Sequence, residues 1–110
     1  MKYSKYDIVL ANFPFTDLSK SKKRPSVVIR DLEGQNVIVC QLTTKKHSFT
    51  KYEIALMRNH CNGNIRFDSF IYADLIATLH KSLIDRKIGF VKDENVKKQI
   101  NDKLKLLLVD

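Results

Sequence analysis

The strongest constraint on this chain is a proline that ends a basic run and opens an apolar, β-branched one. The stretch reads Lys20-Ser21-Lys22-Lys23-Arg24-Pro25-Ser26-Val27-Val28-Ile29. Pro25 fixes its own φ and pushes Arg24 towards extended geometry, so a strand starts here. The guanidinium of Arg24, a planar fork of five donors, then stands at the stiff lip of that strand. Beside it lies a loop rich in lysine and serine, and such a pairing suits a ligand bearing phosphate. An ordinary basic loop entering an ordinary strand has the same residues, and both readings stand at this point.

The rest of the chain reads as short strands until the very end. "DIVLANF" (7–13) is a buried strand that Pro14 terminates, "RPSVVIR" from Arg24 is the second, and "NVIVCQL" (36–42) is the third. A turn from Asp31 to Asn36 makes the second and third strands a hairpin. "YEIALM" is a short fourth strand and "RNHCNGN" a turn. Ile65–Tyr72 and Leu75–Leu79 are two strand segments, or one strand interrupted near Ala73-Asp74. Ser82–Arg86 reads as a helical turn and "KIGFV" as the last strand. Only then does the period change. Val96, Ile100, Leu104, Leu107 and Leu108 recur at helical spacing, behind Asp93 and Glu94 where acids favour a helix start. The expectation is one domain over residues 1–110, mainly β with one C-terminal helix: an α+β small barrel.

Charge bears on partners and not on fold. Twenty Lys and Arg face twelve Asp and Glu, a formal net charge of +8, which favours a polyanionic partner. No apolar run approaches the length of a membrane span, and "MKYSKYDIVL" has no signal-peptide core. A cytoplasmic protein with no membrane association is expected. Cys40 falls in an apolar run and Cys61 in a polar loop; their spacing suits neither a zinc site nor a disulfide framework. No metal and no cofactor are expected.

Two basic loops, Leu18–Lys23 and Thr43–His47, lie at strand ends. In a small barrel they converge on one rim, gathering Arg24, Ser19, Ser21 and Thr43 with Lys45 and Lys46 nearby, or they lie at opposite rims and only solubilise the fold. Of three scattered histidines, His60 reads as a surface residue in a turn and His80 as a residue that caps packing near a strand end. His47, in the second basic loop, is the one placed to touch a substrate. The aromatic residues fall mostly at core-like positions; Phe15 and Phe49 flank the basic loops, where they could stack on bases.

Taken together, "DIVLANFPFTD", "KKRPSVVIR", "VIVCQLTT" and "DSFIYADLIATLHKSLIDRKIGFV" followed by a helix resemble the MazF/PemK-like toxins of type II toxin–antitoxin systems over essentially the whole chain. The resemblance implies an SH3-like barrel, a homodimer, and metal-independent, sequence-selective cleavage of single-stranded RNA, inhibited by an acidic antitoxin. It puts the catalytic arginine on Arg24 and a catalytic threonine on Thr43. A loop serine falls on Ser19 or Ser21, and a serine that begins a later strand on Ser69. With Lys20, Lys22, Lys23, Lys45, Lys46 and His47 these make up the RNA-binding set. Two departures stand out: Tyr6 replaces a glycine before the first aspartate, and the first loop is rich in lysine with no glycine.

The chemistry is plausible without a metal, because RNA carries its own nucleophile in the 2′-hydroxyl. Cleavage would leave a 2′,3′-cyclic phosphate and a 5′-hydroxyl. The rival readings are a non-catalytic small barrel that binds RNA and a module that binds an acidic peptide.

Overall fold

A computed structural model describes residues 1–13, 23–45 and 51–110. Ser19, Ser21, Lys20, Lys22, Lys46 and His47, with Phe15 and Phe49, lie outside the described residues. The described strands are β1 (Asp7–Asn12), β2 (Lys23–Asp31), β3 (Asn36–Thr43), β4 (Glu53–Leu56), β5 (Cys61–Gly63), β6 (Ser69–His80) and β7 (Ile84–Val91). They form one antiparallel sheet in the order β4-β6-β3-β2-β1-β7-β5, followed by α1 (Glu94–Leu108).

Both faces of the three central strands are apolar, so the sheet carries a core on each side. Ile8, Val27, Cys40 and Leu42 point to one core, which Ile54, Leu56 and Ile71 line and α1 closes with Val96 and Ile100. Val9, Ala11, Val28 and Val39 point the other way and are covered by Tyr3, Phe13, Leu79 and Ile84. The alternation follows from the two-residue period of a strand. The helix begins where the sequence places it: the Asp93 carboxylate accepts the Val96 N–H at 2.9 Å. Its buried stripe is shorter than the sequence period implies, for Leu108 is exposed.

The β2–β3 hairpin forms as expected, but its pairing stops at Ser26–Gln41. Proline explains the stop. The Val28 carbonyl accepts the Tyr6 N–H at 2.8 Å, which turns Val28 and, by alternation, Ser26 towards β1. Pro25 therefore faces β3 with no N–H to give, and the ladder cannot continue past it.

Several elements differ from the sequence reading. Ile65–Asp68 is not strand. β6 runs unbroken from Ser69 to His80, and the irregularity expected near Ala73-Asp74 is a register shift opposite Cys40–Leu42. The turn expected over Ser82–Arg86 is a short 3₁₀ turn at Lys81–Leu83, after which β7 starts at Ile84. The Asn-rich turn contains a 3₁₀ turn at Arg58–His60 and then β5. β5 can pair with β7 because glycine faces glycine: Gly63 has φ 110°, and a Cβ there would lie 2.5 Å from the Gly89 Cα.

Candidate functional site

The barrel lip that Pro25 leaves unzipped carries four of the described residues that the sequence picks out, Lys23, Arg24, Thr43 and Lys45. β1 and β2 pair to their ends through Ala11–Arg24 and Asn12–Lys23, while the last residue of β3, Thr43, pairs with Phe70 of β6. Arg24 and Thr43 each lie two residues beyond the last β2–β3 pair, Ser26–Gln41, and strand alternation puts both on the face that this pair occupies. The described ends of β1, β2 and β3 thus share a rim. Arg24 is half-buried, and its Nε is buried with no hydrogen-bond partner among the described residues. A buried guanidinium N–H without a partner is costly, and an oxyanion would relieve it. Thr43 Oγ1 accepts the Lys45 N–H at 3.2 Å, a bond that leaves the hydroxyl proton to donate.

The other described candidates surround this pair at different depths. Lys45 is exposed. Lys23 Nζ lies 3.4 Å from Asp85 Oδ2 in a solvent-accessible ion pair, which is worth little and easily exchanged for a phosphate. Ser69 precedes Phe70, the partner of Thr43, but it is buried, and its hydroxyl donates to the Phe67 carbonyl at 3.3 Å.

Behind the lip the α1-side core opens as a cavity of about 200 Å³. Leu10, Pro25, Leu42 and Leu56 form its apolar wall, and Asn64, Arg66 and Phe67 stand at its rim. Phe67 is 66% exposed. The sequence reading assigned it to the core with the other aromatic residues, and so missed it. Its setting, "IRFDS", with arginine before and aspartate after, is the signal that could have found it.

The remaining titratable groups have structural tasks. His60 is partly buried in its turn, and its Nδ1 accepts the Met57 N–H at 3.0 Å. His80 is exposed at the end of β6 and caps the next turn and not the packing, accepting the Ser82 N–H at 3.1 Å. Cys61 is buried at the start of β5 and does not lie in an open loop. Burial pushes its thiol up to about 11 and that of Cys40 to about 12, which leaves both inert as nucleophiles near neutral pH. Among the described residues no three His, Cys, Asp or Glu side chains are grouped to hold a metal. Nor is any described helix long and apolar enough to cross a membrane.

Comparison with known proteins bears on this arrangement. The family described as "PemK-like, MazF-like toxin of type II toxin-antitoxin system" matches residues 4–108. The chain belongs to that family. No curated protein sequence matches significantly, so likeness beyond the family rests on solved structures. A MazE–MazF complex from Deinococcus radiodurans superposes with a TM-score of 0.75 at 18% identity, covering 96% of this chain and 95% of that one. An endoribonuclease in complex with its cognate antitoxin, from a mycobacterial species, gives 0.74 at 16% identity over 97% and 95%. The Mycobacterium tuberculosis toxin MazF-mt6 gives 0.70 at 18% identity over 91% and 93%. These likenesses show the PemK/MazF fold: an antiparallel sheet with one C-terminal helix.

One departure from the family pattern has a visible structural consequence. Tyr6, in the place where the resemblance expects glycine, adopts φ 78°, the left-handed backbone that glycine adopts without strain. The bend is retained because the Tyr6 N–H donates to Val28 O and its carbonyl accepts the Val91 N–H at 2.9 Å.

Proposed function

We propose that this chain is the toxin of a type II toxin–antitoxin pair and acts as a metal-independent endoribonuclease on single-stranded RNA. The observation that carries the reading is the Arg24 guanidinium, its buried Nε without a partner among the described residues, on the same lip as the Thr43 hydroxyl. Arg24 grips the phosphoryl oxygens and offsets the charge that builds on them as the 2′-hydroxyl attacks phosphorus. It also donates a hydrogen bond towards the departing 5′ oxygen. Thr43 donates to a phosphoryl oxygen, its lone pair already held by the Lys45 N–H. Lys23 and Lys45, with Lys20, Lys22, Lys46, His47 and a serine of the first loop, Ser19 or Ser21, bind the flanking phosphates. Ser69 acts from behind the lip.

Two partners complete the proposal. A second copy of the chain forms a homodimer, and an acidic antitoxin segment covers the basic rim, drawn by the net charge of +8. The cytoplasm is the compartment where such a protein meets mRNA. Incubation of purified protein with a defined RNA pool, followed by mapping of the cut ends, tests the reading. Fragments ending in 2′,3′-cyclic phosphate and 5′-hydroxyl are expected, with cutting unaffected by EDTA. Binding without cleavage instead favours the rival, a non-catalytic RNA-binding barrel.

A further inference from the structure

The cavity behind the lip is too small for a folded segment or a drug-sized ligand, for which several hundred Å³ are usual, but it has room for one planar ring system. The geometry points to a single-base pocket: one nucleobase of the bound RNA enters the barrel mouth and stacks on Phe67. This inference rests on the RNA reading above and specifies which part of the RNA the fold senses.

Three observations carry it. Pro25 and Thr44 line the cavity and adjoin Arg24 and Thr43, so phosphate grip and cavity share one lip. Strand alternation turns Arg24 to the face that carries Val28 and Pro25 to the face that carries the cavity. A nucleotide whose phosphate is held at the lip reaches that apolar recess by passing its base over the edge of β2. Second, Phe67 is exposed on a segment that is firmly held. The Asn64 N–H donates to Ile88 O at 2.8 Å, Asp68 Oδ1 accepts the Arg58 N–H at 2.8 Å, and Ser69 Oγ donates to Phe67 O. A lone exposed aromatic residue is ordinary; one fixed at the rim of an apolar recess is a ready stacking face. Third, two of the lining residues, Asn64 and Arg66, are exposed, so an amide that can pair with a base edge and a guanidinium that can meet a phosphate adjoin the apolar recess. An apolar side chain of a protein partner would use the floor of this recess but neither of those groups.

The test is a titration of the ¹⁵N-labelled protein with AMP, CMP, GMP and UMP, followed through backbone amides, in the wild type and in Phe67→Ala and Phe67→Tyr. At least one nucleotide is expected to shift the amides of Thr44, Asn64, Arg66 and Phe67 saturably. Phe67→Ala should weaken that binding about tenfold, and Phe67→Tyr, which keeps the ring, should retain it. Shifts confined to Lys23 and Arg24, unchanged affinity in Phe67→Ala, or shifts at the mouth only with an acidic apolar peptide would overturn the pocket. Because no cleavage is needed, the two proposals separate. Nucleotide binding at the mouth of a protein that cuts no RNA sustains this inference and removes the nuclease, while a nuclease with a silent mouth does the reverse.

Discussion

Asn101 of α1 holds both Tyr6 and Lys5: its Nδ2 donates to Tyr6 Oη at 3.1 Å and its Oδ1 accepts from Lys5 Nζ at 2.7 Å. The Tyr6 ring also lies under two ammonium groups, Lys5 Nζ at 5.3 Å and Lys97 Nζ at 5.2 Å from its centroid. These contacts draw the N-terminal bend onto the helix and offset a backbone that costs a non-glycine residue about 1–2 kcal/mol.

Tyr6 therefore gives an unusual ordering of variants. Tyr6→Ala keeps the strained backbone and deletes the anchor, so it should destabilise the fold by about 2 kcal/mol. Tyr6→Gly also deletes the anchor but removes the strain, and should be the more stable of the two by about 1 kcal/mol. Urea unfolding of both proteins checks this; alanine equal to or better than glycine would contradict the strain argument.

Arg24 and Thr43 should carry catalysis. We expect Arg24→Ala to lose most of the cleavage and Arg24→Lys not to restore it, because an ammonium does not reproduce the bidentate fork. Thr43→Val keeps the shape without the hydroxyl and should cost on the order of a hundredfold in rate. Cleavage rates are compared on proteins shown to be folded by near-ultraviolet circular dichroism. Full activity in a folded Arg24→Ala protein, or activity lost to EDTA and restored by magnesium, would remove the mechanism.

Acid should weaken the opposite end of the barrel through Asp31. Its carboxylate accepts the N–H groups of Tyr3 and Glu33, each at 2.7 Å, and meets Lys81 Nζ at 3.0 Å. Those partners lower its pKa from 3.8 to about 2. A folded value below the unfolded one means that the stabilisation is complete above about pH 4 and disappears as pH falls towards 2. Asp31→Asn should lower the urea midpoint at pH 7, and the gap to wild type should close between pH 4 and pH 2. A gap independent of pH would show that the charge contributes nothing.

Assembly should respond to salt in two distinct ways. Sedimentation at micromolar concentration should give about twice the 12.8 kDa chain mass, with little dependence on salt if the contact is mainly apolar. Capture of an acidic antitoxin segment should weaken steeply as sodium chloride rises, because charge drives it. A monomer in sedimentation, or a bound acidic partner that leaves RNA cleavage unchanged, would argue against the respective proposal.

The sequence made some of this legible for clear reasons. Proline before a β-branched run located β2 and its lip, and helical spacing after a strand-only chain located α1. What stayed hidden depends on contacts distant in sequence. β5 is three residues long and exists because Gly63 meets Gly89. The continuity of β6 is concealed by a register shift that β6 itself absorbs, with Tyr72–Leu75 opposite the single residue Gln41 of β3. Ile65–Asp68 looked like strand from its apolar content, yet Ile65 spends that content on the mouth cavity. Phe67 was misplaced because periodicity cannot tell an aromatic ring at a rim from one in a core. The mouth itself is assembled from strands far apart in the chain, and no window of sequence contains it.

The outermost strands of the sheet, β4 and β5, are four and three residues long. A sheet grows by templating backbone onto a free edge, and so short an edge gives an incoming chain only a few bonds to copy. Those two edges are thereby poor templates for fibril growth. Aggregation should track the unfolded fraction, where the longer β-branched runs of β2 and β3 are released, so variants that lower stability are the ones expected to precipitate.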